Sequence, residues 1–172
     1  ALLARRETTP AAVGLGGGQE RGVRSGTSPV ALAAAFARAA SLAVDELATE
    51  AGRLADLRDR IAALVVGLGA RLNSREDGAP HIVNATFDGV RADDVLFLLD
   101  QLGVYASVGS ACRAGVHQPS EVLLAMGRSL EDATSSLRFS LGHTSTGADV
   151  EALEVALPQA LDRARGAFGR GA

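Results

Sequence analysis

Leu32, Phe36, Ala40, Ala43, Leu47, Leu54, Leu57, Ile61, Leu64 and Leu68 follow one another at spacings of three, four or seven. Those intervals return to one side of an α-helix and draw a single apolar stripe along it. Ser28-Pro29 supplies the start, serine as N-cap and proline at the first helical position. The stripe continues to about Gly69, so the predicted helix has about 40 residues and, at about 1.5 Å each, is about 60 Å long. Gly52 is a candidate bend. A helix of this length bridges two bodies more readily than it sits inside one.

The segments around it read as follows. Arg5 to Thr27 is polar and holds Gly14, Gly16, Gly17, Gly18, Gly22 and Gly26, a density that marks a loop. Asn73 to Pro80 is a polar turn region. Ile82 to Phe87 alternates as a strand does. Arg91 to Leu102 places Val95, Leu96, Leu98, Leu99 and Leu102 on a helical face, and Gly103 ends it. Val104 to Ala106 is expected to be a short strand, and a loop of small residues runs from Ser107 to Gln118. Pro119-Ser120 opens a short helix ending near Met126-Gly127. From Ser135 to Leu141, Leu137, Phe139 and Leu141 take one face, Ser136, Arg138 and Ser140 the other. Ala148 to about Phe168 is the final helix. The order from residue 80, β-α-β-α-β-α, predicts a small α/β sandwich with helices over one face of a three- or four-stranded sheet.

Composition narrows the classes. The chain has 172 residues, 47% hydrophobic and only 3% aromatic, which favours helices packed through alanine, leucine and valine. A net charge of −3, with both signs dispersed, lacks the basic footprint of a nucleic-acid binder. No apolar stretch approaches the roughly 20 residues of a membrane helix, and no signal or lipidation motif is visible at the start. One cysteine forms no internal disulfide, so a cytoplasmic location is expected. Lysine is absent; all 17 basic residues are arginine. The chain opens without methionine in an apolar run, Ala1-Leu2-Leu3-Ala4, that reads like a strand end. One piece of a longer polypeptide is the expectation.

Cys112 lies in Gly109-Ser110-Ala111-Cys112-Arg113-Ala114-Gly115. A lone cysteine is usually a buried structural residue. Here its neighbours are too small to wrap a thiol, and Arg113 favours the thiolate of a group that otherwise titrates at about 8.5. A loop of small residues also suits a nucleophile that collects an atom in one place and delivers it in another. Arg138, opposite the core face of its strand, is either a solvated arginine or a bidentate clamp for a carboxylate. The glycine-rich segment satisfies neither G-x-G-x-x-G nor a Walker loop. Its end, Arg24-Ser25-Gly26-Thr27, offers a simple helix cap or a phosphate site built from backbone N–H groups and the Thr27 hydroxyl. His81, His117 and His143 share no metal-binding spacing. The acidic pairs Asp93-Asp94 and Glu131-Asp132 suit helix starts, where they complement the dipole.

Three motifs in order resemble the NifS/IscS-type cysteine desulfurases. Gly16-Gly17-Gly18-Gln19-Glu20-Arg21-Gly22-Val23-Arg24-Ser25-Gly26-Thr27 is similar to their GGGxERGxRSGT segment. Gly109-Ser110-Ala111-Cys112 resembles their GSAC loop, and Ser135-Ser136-Leu137-Arg138-Phe139-Ser140-Leu141-Gly142 resembles their SSIRFSLG strand. The resemblance covers essentially the whole chain. It implies an aminotransferase-like homodimer that uses pyridoxal 5'-phosphate to take sulfur from L-cysteine and leave L-alanine. Cys112 then carries the persulfide, Arg138 holds the substrate carboxylate, and Thr27 reaches the cofactor phosphate of the other subunit. The sulfur passes to an acceptor protein, such as an iron–sulfur scaffold, or toward tRNA thiolation. Residues 1–27 become a remnant of the large cofactor-binding domain, 28–70 the connecting helix, and 71–172 the small α/β domain. The departure from the family is the missing Schiff-base lysine, which lies just upstream of a GPKGxGAL segment whose end Ala1-Leu2 matches. The 172 residues are therefore expected to be inactive alone. Two other readings remain open: a non-catalytic sulfur-carrier or interaction module built on Cys112, and a transaminase or epimerase of the same fold.

Overall fold

The computed structural model describes residues 2–8, 10–108 and 119–168. The chain divides into two compact units, residues 1–46 and 47–172. The long stripe does form a helix, α1 (Val30–Gly67), and it is unbroken at Gly52. Gly69, at φ +84°, closes it: its N–H donates to the Val66 carbonyl and the Ala70 N–H to the Val65 carbonyl. That double bond pattern needs the left-handed conformation glycine adopts without strain. Along α1 the stripe has two fates. Leu57, Ile61 and Val65 are buried, whereas Leu32, Phe36 and Leu47 are 70%, 59% and 64% exposed.

The second unit is built on a three-stranded antiparallel sheet in the order β1 (Arg71–Leu72), β2 (Ile82–Thr86), β3 (Ser136–Ser140). Pairing is in register from Ile82 opposite Ser140 to Thr86 opposite Ser136. Alternation does what period-two patterning requires. Val83, Ala85, Leu137 and Phe139 are buried on one face, and Asn84 and Arg138 lie on the other. Helices α2 (Ala92–Gln101) and α5 (Gly147–Phe168) join the core with Val95, Leu99, Val150, Leu153, Leu157 and Leu161. Ala156, Ala160 and Ala164 are buried on α5, where small side chains let helices approach closely. Each fully buried Leu or Val contributes about 1.5–3 kcal/mol relative to an exposed one. This is the predicted sandwich, with a three-stranded sheet.

Three details differ from the sequence reading. Val104–Ala106 forms no strand; the residue after it, Ser107, makes an isolated pair with Arg138 of β3. A two-residue strand, β1, precedes the polar turn and is too short to show alternation. Between α3 (Glu121–Ala125) and β3 lies a further short helix, α4 (Leu130–Thr134), so the order is β2-α2-α3-α4-β3-α5. The acidic pairs do stand in first turns, Asp93 and Asp94 in α2, Glu131 and Asp132 in α4. Ser136 keeps the face of Arg138 but is 2% exposed there, its hydroxyl donating to the Asp132 carbonyl of α4 at 2.7 Å.

The chain leaves β3 through a turn held by Arg53 of α1. Its guanidinium donates to the carbonyls of Gly142, His143 and Ser145 and pairs bidentately with Glu50 at 3.0 and 2.9 Å. The Arg53 hydrogen bond, chiefly, holds the Glu50 carboxyl below its ordinary value. One residue thus ties the end of β3 to α1.

Candidate active site

Arg138 is the best-defined member of the site. Its backbone N–H donates to the Ser107 carbonyl at 2.8 Å and its carbonyl accepts from the Ser107 N–H at 3.0 Å. Its Nη2 reaches the Ser107 hydroxyl at 3.4 Å. The side chain is exposed, and among the described residues no carboxylate pairs with it. A guanidinium fork left in this state can accept an external carboxylate through two parallel hydrogen bonds. Of the two readings open from sequence, the geometry permits the clamp.

Cys112 lies outside the described residues. Ser107, five positions before it, is the residue bonded to Arg138. At the far end Ser120 anchors the chain, its hydroxyl accepting from the Leu123 N–H to cap α3.

On its other side Arg138 faces Asn84 of β2. The Asn84 backbone points away from β3: its N–H donates to the Ser74 hydroxyl and its carbonyl accepts from the Asn73 N–H, both at 2.8 Å. The Asn84–Arg138 pair is therefore of the non-hydrogen-bonded kind, with Cα atoms about 4.5 Å apart and side chains close. Beside it on the same sheet face lies a buried polar cluster. Asn73 Nδ2 donates to Asn84 Oδ1 at 2.8 Å and to Thr86 Oγ1 at 2.9 Å, and sits 3.3 Å from Ser136 Oγ. Thr86 Oγ1 and Ser136 Oγ are 2.8 Å apart. Asn73 Oδ1 is buried without a partner, a condition that costs about 1–3 kcal/mol. Sequence reading passed over Ser107 and Asn84 because their importance depends on register with Arg138, which one strand's pattern does not state.

Thr27 belongs to the first unit. Arg24 Nη1 donates to the carbonyls of Gly26 and Thr27 at 3.2 and 3.0 Å, and the Gly26 N–H donates to Gln19 Oε1 at 3.1 Å. Gly26 stands at φ +95°, a left-handed setting that L side chains rarely adopt. One backbone amide of the segment, that of Gly26, is thus already engaged, while the exposed Thr27 hydroxyl makes no hydrogen bond among the described residues. An open groove of about 1180 Å³ in the same unit is bordered by Arg5, Arg6, Arg21, Arg24, Leu32 and Phe36. A free hydroxyl and clustered arginines fit one edge of a phosphate group; they do not complete a cofactor site.

The family model for aminotransferase class-V matches residues 15–153. The chain belongs to that family. Class-V aminotransferases work, in general, with pyridoxal phosphate. The chain is 50% identical to an IscS-like cysteine desulfurase of Mycobacterium tuberculosis, covering 96% of this chain and 43% of that protein. It is 40% identical to cysteine desulfurase IscS 1 of Archaeoglobus fulgidus, covering 88% of this chain and 40% of the relative. This class-V chain therefore spans about two fifths of the length of the curated relatives it matches. Among solved structures, a NifS-like protein superposes with a TM-score of 0.78 at 28% identity, covering 92% of this chain and 41% of the other. A NifS-like protein from Rickettsia africae gives 0.72 at 30% identity, over 90% of this chain and 40% of the other.

Proposed function

We propose that this chain is part of a pyridoxal-phosphate-dependent cysteine desulfurase, in which Cys112 takes sulfur from L-cysteine while Arg138 grips the substrate carboxylate. The observation that carries the reading is the Ser107–Arg138 pair. It ties Ser107, at which the sequence reading starts the cysteine loop, to the strand that bears the clamp. The Cys112 thiolate attacks the substrate sulfur, an S–S bond forms, and the substrate C–S bond breaks with its electron pair left on carbon. Protonation of that carbon yields L-alanine, and the enzyme keeps a Cys112 persulfide. Pyridoxal phosphate, when bound, supplies the electron sink that makes the C–S bond breakable. Thr27 would hold its phosphate in the partner subunit of a homodimer.

With no lysine among the 172 residues, sulfur release belongs to the enzyme that includes the remaining three fifths of its relatives' length. In this reading the protein is cytoplasmic and passes its persulfide to an acceptor protein such as an iron–sulfur scaffold or a tRNA-thiolation component. The test is mass spectrometry of the intact enzyme after L-cysteine. A sulfur adduct is expected on Cys112, and none in Cys112→Ser, which retains its cofactor spectrum. Full sulfide production by Cys112→Ser without a thiol reductant would overturn the proposal.

A further inference from the structure

In the polar cluster beside Arg138 on the same sheet face, the position of each proton follows from the partners. Ser136 Oγ lies 2.7 Å from the Asp132 carbonyl, which only accepts, so the single Ser136 hydroxyl proton is committed there. Thr86 Oγ1, 2.8 Å from Ser136 Oγ, must then be the donor of that contact. Both hydroxyl protons being used, whatever Asn73 presents to these oxygens has to donate. Asn73 therefore turns its Nδ2 toward them, which strands its Oδ1 without a partner. The same Nδ2 lies 2.8 Å from Asn84, and two donors do not share a hydrogen bond, so Asn84 turns its Oδ1 inward. Its Nδ2 faces outward, without a protein partner among the described residues and not among the buried unpaired atoms. Were Asn73 reversed, the Thr86–Ser136 contact would be left without a proton.

We infer that Asn84 is a second carboxylate-binding residue, its outward Nδ2 donating to the acid group held by Arg138. The two side chains share one sheet face as a close cross-strand pair, and the cluster fixes the Asn84 amide as donor before any substrate arrives. Pre-set donors lose little freedom on binding. A row of polar residues thus crosses the sheet from Ser107 through Arg138 and Asn84 to Asn73. This inference rests on reading Arg138 as the acid clamp.

The experiment uses the intact, cofactor-loaded enzyme and measures binding of L-alanine and L-alaninamide by calorimetry, so turnover plays no part. Asn84→Asp keeps the inward oxygen that accepts from Asn73 while replacing the outward donor with an acceptor, and its melting temperature checks that the fold is retained. A hydrogen bond to a charged group is worth about tenfold to a hundredfold in affinity, so the preference for L-alanine over its amide should fall by at least about tenfold. Asn84→Ala should lose part of that preference. Equal weakening of both ligands would mark Asn84 as structural and overturn the inference. If Arg138→Lys collapses the preference and Asn84→Asp leaves it intact, the inference fails and the clamp stands. If neither variant changes it, the clamp itself is wrong and the inference falls with it.

Discussion

Arg138 has leucine and phenylalanine for neighbours along its strand, yet its own side chain is exposed and, among the described residues, hydrogen-bonds only a serine hydroxyl at 3.4 Å. An arginine with this freedom grips a carboxylate through two nitrogens at a fixed spacing, a geometry the compact ammonium of lysine does not reproduce. Arg138→Lys in the intact enzyme should therefore raise KM for L-cysteine by about tenfold or more, the value of a lost charge-assisted bond. Steady-state kinetics over a range of L-cysteine decides this, and an unchanged KM would remove Arg138 from the site. Arg138 was legible because the alternation Leu137, Phe139, Leu141 puts it opposite the core without any knowledge of the fold. Asn84 alternates equally well, but nothing in its own strand says that it lies across from a guanidinium.

At the scale of elements, local periodicity carried most of the information. The intervals in the α1 stripe, the alternation in β2 and β3, and the Gly69 and Gly103 terminators each act within a few residues, and each produced the expected element. Val104–Ala106 shows the limit. Whether an extended segment becomes a strand depends on how long it runs beside a partner, and here, among the described residues, the bridge to β3 is made by the following residue, Ser107. Packing obeys the same division. On α5, Leu157 is fully buried among Val65, Leu99 and Leu161 of the core cluster. Leu157→Ala should destabilise the protein by about 2–5 kcal/mol through lost transfer energy and the cavity left behind. Urea denaturation measures it, and a loss below about 1 kcal/mol would mean that α5 does not close the core as described.

Across the whole molecule the charge is carried on one side by arginine alone, and several of these arginines set the acid behaviour of the fold. Arg53 lowers Glu50, Arg75 lowers Asp77, and Arg71, which also pairs with Asp88, lowers Asp132 with help from Ser129. A carboxyl depressed in the folded state contributes stability that is complete above its unfolded value, 4.5 for Glu and 3.8 for Asp, and is lost as pH falls through the folded value. Tm should therefore hold steady down to about pH 4.5 and decline below it, less steeply in high salt because the pairs are partly or fully open to solvent. Thermal melts at fixed ionic strength test this, and a Tm that rises on acidification would contradict it. By itself the sequence determined the helices α1, α2, α3 and α5, the alternating strands, the motifs of the family and the side of the strand on which Arg138 stands, since these are written in spacings of two to seven residues. Only the tertiary structure decided that Ser107 and Asn84 flank Arg138, that Ser136 is covered on the Arg138 face of its strand, and that half of the α1 stripe is covered. Those outcomes follow from register and packing between segments far apart in the chain, and short-range pattern has no access to them.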